Sequence, residues 1–438
     1  MNKSLFFKAV LFSTVISLVF SCNFLTDKDD DDDKEMVEVA YAVPNYETTS
    51  QLSSKITVED PKDYAEAGKI ITYQNYIFIN KPQEGVHVVD NSDPNAPVNL
   101  HFISIPGSLD MAIIDNHLYT DMFSALVVFD ISDVTNPSLQ KDFTVDDVFY
   151  YNPYVFIPED LYTHSFVRYE EIDESKGIVT SWDIEFREEP LEEYFVSYDD
   201  DALATPLSAL EDSSSQPKQT STAGSMTRFL PVGNYLYTIN FNELVLFSIS
   251  ENYQPNRFAR LDTGTQAETL FQLNDLLFVG STTGMLMYDV ENPSNPEYLN
   301  SVEHFRSCDP VVADESYAYV TLRGGTNCFT EMNELQIIDI QDKENLSVVS
   351  RQVLFNPHGL AIHQDHLIIC DGTAGLKVVN VSDRKNPEIV NTEALPFAYD
   401  IIVDFPNAMV VGKGVLYQYD LSNLPDVELT AELRLDEN

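Results

Sequence analysis

The sequence predicts an all-β protein, a β-propeller of four-stranded antiparallel blades. A β-rich run that ends in Asp or Asn and an Asx/Ser/Pro turn recurs along the chain. Several successive copies are about 40 residues apart, the length of four short strands with their turns, which is one blade. The 22 prolines and the alternating apolar pattern exclude a helical solenoid, and a β-sandwich would not repeat one turn signature so often.

The third run of each repeat is the easiest to align. Each run alternates apolar residues, which suits a strand packed between neighbours. The Asp or Asn that ends the run predicts a turn closed by side-chain-to-backbone hydrogen bonds. Clear copies begin at Gly85, Ala125, Leu244, Gly284, Leu335, Gly375 and Val415, and a weaker copy begins at Gly177.

Eight copies predict eight blades, with seven as the alternative because the copy at Gly177 is degenerate and interrupted. The first repeat, 68–106, and the last, 400–435, each read as four complete strands. We therefore expect the ring to close by packing of whole blades. An insertion at about 185–225 interrupts the rhythm, and its second half reads as low-complexity and mobile.

The N-terminus reads as an export signal. Residues 1–21 combine Lys3 and Lys8 with an apolar stretch over 9–20, as in a signal peptide. The stretch ends in Ser21-Cys22, which resembles the bacterial lipobox. The resemblance implies that Cys22 carries diacylglycerol and becomes the mature N-terminus. The alternative is an ordinary secretory signal followed by an accidental cysteine.

Residues 22–60 are expected to form an acidic flexible tether, and 61–438 the propeller. The charge block over 27–35 favours an extended chain. An acidic run directly after the lipid cysteine resembles the export signal of Bacteroidetes surface lipoproteins. It implies a protein anchored in the outer membrane and exposed at the cell surface, with a periplasmic face as the alternative.

The motif Leu126-Val-Val-Phe-Asp130 with its following turn resembles the LVIVD-repeat family, in its Bacteroidetes lipoprotein type. Matching stretches in the second half of the chain begin at Ser307, Tyr317, Asn356, Ile369 and Tyr399. The resemblance implies a β-propeller on a surface lipoprotein and little about chemistry, because a fold does not fix a function.

The composition limits the classes of partner and of chemical site that this chain can have. A net charge of −46, from 71 acidic and 25 basic residues, repels phosphate backbones and excludes nucleic acid as a partner. Four cysteines are too few for a disulfide scaffold. The chain has a single tryptophan and lacks sialidase-type Asp-box turns, phosphate loops and nucleophile elbows.

One face of the predicted propeller collects unusual polar residues. The loops between blades and the turns between second and third strands share this face, where propellers bind ligands. The alternative is that these groups satisfy one another, the strand ends or channel water. The candidate binding residues are Asp110, Arg228, Glu268, Asp309, His358, Asp371 and Asp400.

Three of these carboxylates, Asp309, Asp371 and Asp400, could together with His358 bind a divalent cation such as Ca²⁺, which takes several oxygen ligands. The sequence has no compact ligand loop, so the metal state stays unassigned and no cofactor is predicted. Cys308 and Cys328 are candidates for a disulfide in an oxidising exterior. Cys370 is expected to be a buried thiol, and a Cys370–His358 nucleophile pair is the alternative.

The sequence favours a surface-exposed lipoprotein that acts as a binding or scaffolding propeller for a protein or glycan partner. The alternative is an extracytoplasmic hydrolase or lyase with a carboxylate and histidine site in the funnel. Whether the chain is an enzyme is left open, with a non-enzymatic role preferred.

Overall fold

The computed structural model describes residues 35–64, 66, 68–194, 219–303, 310–324 and 332–435. Within these ranges, no helix has the length and apolarity needed to cross a membrane. The chain divides into two compact units. The smaller one draws on the described residues within Met1–Val43, Pro158–Glu170 and Asp183–Ala202. The larger one draws on the described residues within Pro44–Ile157, Glu171–Trp182 and Leu203–Asn438.

The described chain begins with β1 (Met36–Glu47), α1 (Thr49–Ser53) and β2 (Thr57–Glu59). Two antiparallel meanders follow, named blades 1 and 2, with strands A to D in chain order. Blade 1 contains β3 (Ile70–Tyr73), β4 (Tyr76–Lys81), β5 (Gly85–Asp90) and β6 (Val98–Ser104). Blade 2 contains β7 (Met111–Ile114), β8 (His117–Met122), β9 (Ala125–Asp130) and β10 (Ser138–Leu139).

A long connection separates blade 2 from blade 3. It contains 3₁₀ turns at Lys141–Phe143, Pro153–Phe156, Glu159–Thr163 and Glu174–Lys176. Its regular elements are β11 (Val167–Tyr169), β12 (Ile178–Pro190), α2 (Leu191–Tyr194) and β13 (Thr222–Ala223).

Five further meanders complete the larger unit. Blade 3 contains β14 (Phe229–Val232), β15 (Tyr235–Asn240), β16 (Glu243–Ile249) and β17 (Pro255–Asp262). Blade 4 contains β18 (Ala267–Leu273), β19 (Leu276–Ser281), β20 (Gly284–Asp289) and β21 (Glu297–Glu303). Blade 5 contains β22 (Val311–Ala313), β23 (Tyr317–Leu322), β24 (Glu334–Asp339) and β25 (Ser347–Val353). Blade 6 contains β26 (Leu360–His363), β27 (His366–Cys370), β28 (Leu376–Asn380) and β29 (Glu388–Glu393). Blade 7 contains β30 (Asp400–Asp404), β31 (Asn407–Gly412), β32 (Val415–Asp420) and β33 (Glu428–Arg434).

The all-β propeller with four-stranded antiparallel blades is therefore confirmed, and the seven clear repeat copies each form a strand C. The described chain has eight sheets, of which seven have the meander of a blade. The weak copy at Gly177 enters β12, which belongs to a three-stranded sheet with β11 and β1. The described residues thus form seven blades, the alternative count, because that copy has no meander of its own among them.

The predicted turn after strand C has the expected bonds. The Asp130 carboxylate accepts a hydrogen bond from the Ser132 N–H at 2.8 Å, and Asp420 accepts one from Ser422 at 2.7 Å. In six blades a bulge interrupts the pairing of strands C and D shortly before this turn. Such bulges increase the local twist of a strand pair.

The cores lie between the blades. Seven clusters of buried apolar side chains form among the described residues, one at each interface between neighbouring blades. The A strands of successive blades contact one another, and β30 of blade 7 contacts β3 of blade 1. The larger unit is therefore a closed ring whose innermost strands are the A strands.

Whole first and last blades close the ring, as the sequence predicts. Ile70 and Ile79 of blade 1 pack with Ile402 and Leu416 of blade 7 in one buried cluster. The Tyr64 ring belongs to the same cluster, and the backbone N–H of Tyr64 donates to the Leu435 carbonyl at 2.7 Å.

The predicted flexible tether over 22–60 is wrong for its described part, 35–60, which contains β1, α1 and β2. The reason is burial and pairing that the charge pattern does not reveal. Thr48 and Gln51 form a capping box on α1, whose Leu52 packs in the core between blades 1 and 2. Strand β2 pairs with the outer edge of β6. The signal peptide 1–21 and Cys22 lie outside the described residues.

In the smaller unit, β1 pairs in parallel with β11, with Tyr41 opposite Arg168. The Arg187 guanidinium lies 4.2 Å from the centre of the Tyr41 ring and forms a salt bridge with Glu170 at 2.6 Å. The Tyr41 hydroxyl donates a hydrogen bond to Glu189. Charged side chains thus bridge the paired strands of this small sheet.

Candidate functional site

The centre of the ring is occupied by the chain itself. Residues 219–228, named here the channel segment, lead from the long connection into blade 3. The Ser221 N–H donates to the Ile113 carbonyl of β7 at 2.8 Å, and β13 pairs antiparallel with β3. The segment thereby bonds to the innermost strands of blades 1 and 2.

The segment also reaches the opposite side of the ring. The Leu360 N–H of blade 6 donates to Ser225 Oγ at 2.8 Å, and the Leu270 N–H of blade 4 donates to the Thr227 carbonyl at 2.8 Å. Because these strands surround the channel, residues 219–228 run through it and fill it. This differs from the prediction that the second half of the insertion at about 185–225 is mobile. Residues 195–218 of that insertion lie outside the described residues.

Glycine is required at one point of this passage. A Cβ on Gly224 would lie 2.4 Å from Asp400 Oδ2 and 2.6 Å from Asp400 Cγ. Gly359 approaches the same carboxylate from blade 6, where a Cβ would lie 2.3 Å from Asp400 Oδ1. Asp400 therefore lies enclosed between two glycines, and its Oδ2 is buried without a hydrogen-bond partner within the described structure.

A pocket opens where the channel segment leaves the channel. This face carries the loops from strand D to the next strand A and the turns between strands B and C, and we name it the D–A face. The pocket has a volume of about 380 Å³. Met226 of the channel segment is one of its lining residues. Its lining residues are Lys69, Tyr150, Met226, Arg228, Phe241, Gln266, Ala267, Glu268, Thr269, Pro310, Arg323 and His358.

Lys69 and Arg228 lie on one wall, joined by Asp110. The Lys69 Nζ lies 2.5 Å from Asp110 Oδ2, and the Arg228 backbone N–H donates to the same oxygen at 2.5 Å. Burial lowers the pKa of Lys69, while the nearby Asp110 carboxylate raises it. The Arg228 guanidinium donates through Nη2 to the Ile239 carbonyl at 3.2 Å. Asp110 therefore balances the lysine, and the arginine charge faces the pocket.

Arg323 and His358 form the second polar wall. The Arg323 Nη1 lies 2.9 Å from His358 Nδ1, and the Asn356 amide nitrogen lies 3.2 Å from His358 Nε2. Burial lowers the pKa of His358 to about 3, with a further lowering by Arg323 and Lys413. The imidazole is therefore neutral near pH 7, and it accepts a hydrogen bond from the guanidinium.

The mouth of the pocket carries two exposed aromatic rings. Tyr150 is 64% exposed and Phe241 is 51% exposed, and their ring centres lie 5.8 Å apart. The Tyr150 backbone N–H donates to the Asn240 side chain, and Arg260 donates to the Val148 carbonyl at 3.3 Å. Blade 3 thus holds Tyr150 in place beside the pocket.

Three of the seven residues predicted for binding line the pocket, namely Arg228, Glu268 and His358. Asp110 lies directly behind Lys69. Asp371 lies elsewhere, where its buried carboxylate accepts the backbone N–H groups of Phe355 and Asn356. Burial raises its pKa.

Asp400 is fully buried beneath the channel segment and does not line the pocket. Burial raises its pKa to about 7. Asp121, behind the pocket wall, accepts the backbone N–H groups of Leu109 and Asp110, and burial raises its pKa to about 6. The Asp121 carboxylate therefore holds the loop behind the pocket, whereas Asp400 accepts the N–H of Ile401 in its own strand.

Only some residues of the predicted metal site and of the cysteine hypotheses lie within the described part of the chain. Asp309, Cys308 and Cys328 lie outside the described residues. In the ranges that the structure covers, no group of three or more His, Cys, Asp or Glu side chains is arranged to hold a metal. Cys370 is a buried free thiol whose pKa is raised by burial, which opposes formation of a thiolate nucleophile.

Sequence reasoning missed Lys69, Arg323, Tyr150 and Phe241. A signal existed for Lys69, because it directly precedes strand A of blade 1, as Asp110 and Arg228 precede strands A of blades 2 and 3. Arg323 and Phe241 directly follow B strands, at the turns of the same face. Tyr150 lies in the long connection, where the repeat pattern gives no guide.

Solved structures with a similar fold share little sequence with this chain. A comparison with curated proteins finds no match. A protein from Lactobacillus plantarum has a similar structure, with 9% identity and a TM-score of 0.50, over 86% of this chain and 94% of that one. Sqt1 from Saccharomyces cerevisiae gives 9% identity and a TM-score of 0.48, over 89% of this chain and 88% of that one. At 9% identity, the likeness to the Lactobacillus plantarum protein concerns the fold alone.

The family comparison concerns the first two blades. The LVIVD repeat profile matches residues 66–101, which contain β3 to β5 and the start of β6, and residues 108–145, which contain β7 to β10. The chain therefore carries LVIVD repeats in blades 1 and 2 of a seven-bladed propeller.

Proposed function

We propose that this chain is a non-catalytic binding module that holds a protein or glycan partner at the pocket of the D–A face. One observation carries the proposal. A chain with 71 acidic and only 25 basic residues places Lys69, Arg228 and Arg323 around one pocket. Clustered cations in an acidic protein create a local attraction for an anionic group.

The electrostatics of the pocket favour recognition over catalysis. A general acid or base must reach the substrate and have a pKa near the working pH. The carboxylates with pKa near 6 or 7, Asp121 and Asp400, lie behind the pocket wall. The pocket histidine, His358, has a pKa of about 3 and is bonded to Arg323. These groups suit a fixed binding surface.

The test is capture of a partner from solubilised cell envelopes by the immobilised protein. We expect Arg228→Gln combined with Arg323→Gln to lose the partner that the wild type retains. Arg351→Gln is the matched control, because Arg351 lies on the outer strand β25 with its side chain 59% exposed. Equal capture by all three proteins, or turnover of the captured polymer, would contradict the proposal.

The proposal includes attachment to the outer membrane through Cys22, with the propeller exposed at the cell surface. It is supported by the signal-like residues 1–21, the lipobox-like Ser21-Cys22 and the acidic run that follows. Growth with an alkyne fatty acid should label the wild type but not Cys22→Ser. Protease added to intact cells should digest the wild type, and resistance would point to a periplasmic location.

A further inference from the structure

We infer that the pocket of the D–A face takes a sugar ring of a glycan, which packs against Tyr150 and Phe241, named here the aromatic platform. This ligand class rests on the proposed function and selects one of its two kinds of partner. It is supported by the backbone of Phe241, by the anchoring of Tyr150 and by the mixed lining of the pocket.

Phe241 has a backbone conformation that a phenylalanine rarely adopts. It lies in the two-residue turn between β15 and β16, and its φ is 54°. This left-handed region disfavours bulky side chains and suits glycine or asparagine. Strain of this kind is concentrated at ligand sites, where the gain on binding offsets its cost. A phenylalanine at this turn position therefore calls for a compensating contact.

Blade 2 shows how packing within the fold can supply that contact. Phe123 lies at the same position of the turn between β8 and β9, and its φ is also 54°. Its ring is 9% exposed and packs against Tyr151 and Phe156, with ring centres 5.8 and 5.6 Å away. The Phe241 ring is 51% exposed beside the exposed Tyr150. Burial thus offsets the strain in blade 2, whereas in blade 3 a ligand against the ring would do so.

The chain holds the Tyr150 ring outside the core. Val148 and Phe149 directly before it are 1% and 7% exposed, and both belong to the core between blades 2 and 3. The Tyr150 backbone N–H donates to the side chain of Asn240, the residue before Phe241. Because its neighbours are anchored, the Tyr150 ring can meet a ligand with little loss of conformational freedom.

The platform and the apolar lining match the faces of a sugar ring. A pyranose presents C–H groups on its faces, and aromatic ring faces carry the negative charge density that attracts them. Met226, Ala267 and Pro310 add carbon surface to the lining. The volume of about 380 Å³ is small for a ligand site and suits one or two sugar rings.

The polar lining matches the hydroxyl rim of the same ring. Arg228 brings N–H donors to the pocket, Glu268 brings carboxylate acceptors, and the Gln266 amide brings both. A sugar hydroxyl can donate and accept at once, so it can join groups that already have partners within the protein. An apolar side chain of a protein partner would cover these groups without bonding them, which weakens binding.

The experiment is an overlay of the full mature chain on spots of solubilised cell envelope, with the bound chain as the readout. The spots are left untreated, oxidised with mild periodate or digested with protease. Periodate cleaves the vicinal diols of sugar rings, and protease cleaves peptide bonds. We expect periodate to lower the signal at least about tenfold, a loss of about 1.4 kcal/mol in binding, and protease to leave the signal in place.

Variants tie the signal to the aromatic platform. Tyr150→Ala and Phe241→Asn should each lower it at least about tenfold, while Tyr298→Ala, at a 55% exposed ring on the outer strand β21, should bind as the wild type does. Asparagine suits the left-handed turn, so Phe241→Asn should melt at or above the temperature of the wild type. Phe123→Asn should melt at a lower temperature, because the Phe123 ring is buried.

A signal that survives periodate and disappears after protease would identify a protein partner and overturn the ligand class. Unchanged binding by Phe241→Asn, or a fall in its melting temperature like that of Phe123→Asn, would do the same. If partner capture then still depends on Arg228 and Arg323, the binding role stands. If capture does not depend on these arginines, the binding role itself fails.

Discussion

Gly224 lies against the carboxylate of Asp400, deep inside the channel of the propeller. The two residues come from parts of the chain with no local connection, the long connection before blade 3 and strand A of blade 7. Their closeness is the structural sign that the chain passes through its own ring. Because the two residues are so close, even a methyl side chain at position 224 would disturb the passage of the chain through the ring.

Replacing Gly224 with Ala should destabilise the protein. The new Cβ would lie 2.4 Å from Asp400 Oδ2, a distance that forces a shift in a packed interior. Overpacking of this kind costs about 1–3 kcal/mol in the free energy of unfolding, measurable by urea denaturation. Combined with Asp400→Ala, which removes the carboxylate, the cost of Gly224→Ala should fall. If the losses in the free energy of unfolding of the two single variants simply added, Gly224 and Asp400 would not be in contact, which would contradict the structure.

Replacing Asp400 with Asn should change how stability depends on pH. Burial raises the pKa of Asp400 to about 7 in the folded protein, whereas an unfolded Asp has a pKa near 3.9. Between about pH 4 and pH 7 the folded state therefore holds a proton that the unfolded state has released, and stability falls as pH rises.

Asn carries no such proton, so Asp400→Asn should gain stability over the wild type as pH rises from 4 to 7, by up to a few kcal/mol. Unfolding curves of both proteins across this range measure the difference. Parallel curves would mean that Asp400 titrates normally. Asp90→Asn is the matched control, because Asp90 lies in an exposed turn at the end of β5.

Replacing Lys69 with Met should cost about 3–5 kcal/mol in the free energy of unfolding, because it leaves Asp110 buried without its cation. The Asp110 side chain is 1% exposed, and the Lys69 side chain is 16% exposed. Lys176→Met is the control. Its 3.7 Å contact with Asp173 is exposed on both sides, so its removal should cost less than about 1 kcal/mol. Similar losses of stability in both variants would contradict the claim that Lys69 compensates the buried Asp110 carboxylate.

Ring closure should depend on the Tyr64 ring. Tyr64 is 1% exposed between blades 1 and 7, and its hydroxyl donates to the Asn80 carbonyl at 3.2 Å. Tyr64→Phe loses that hydrogen bond alone, at about 1 kcal/mol. Tyr64→Ala leaves a cavity at the closure, which should cost about 3–5 kcal/mol. Denaturation midpoints that do not separate Phe from Ala would argue against packing as the means of closure.

The blades could be read from the sequence because their signals are local. The alternation in Gly85–Asp90 and the Asp that ends it both act within a few residues, so strand C was predictable in all seven blades. The predicted count of eight blades included the weak repeat copy at Gly177, because the alternating pattern of strand C also occurs in β12. A strand resembles its repeat copies whether or not a meander surrounds it, so sequence alone could not separate the two.

The channel segment was not predictable, because backbone groups and serine hydroxyls bond it to residues that are distant in the sequence. Ser221 and Ser225 bond to different blades, and neither belongs to an apolar pattern. The small residues around Gly224 read as a mobile linker, although small size is what lets them pass Asp400. In the pocket, Arg228 and Glu268 were found from their place beside A strands. Arg323 was missed, although Cys328 in the same connection between β23 and β24 was named as a disulfide candidate.

The passage of residues 219–228 through the ring underlies both the filled channel and the pocket above it, and a cross-link tests it most directly. Thr72 and Thr222 are paired neighbours on antiparallel strands, at a separation that a disulfide can span. Thr72→Cys with Thr222→Cys should form a disulfide under mild oxidation, identified by peptide mass spectrometry. Thr222→Cys with Thr392→Cys on the outer strand β29 should not. No link in the first pair, or equal linking in both, would contradict the passage.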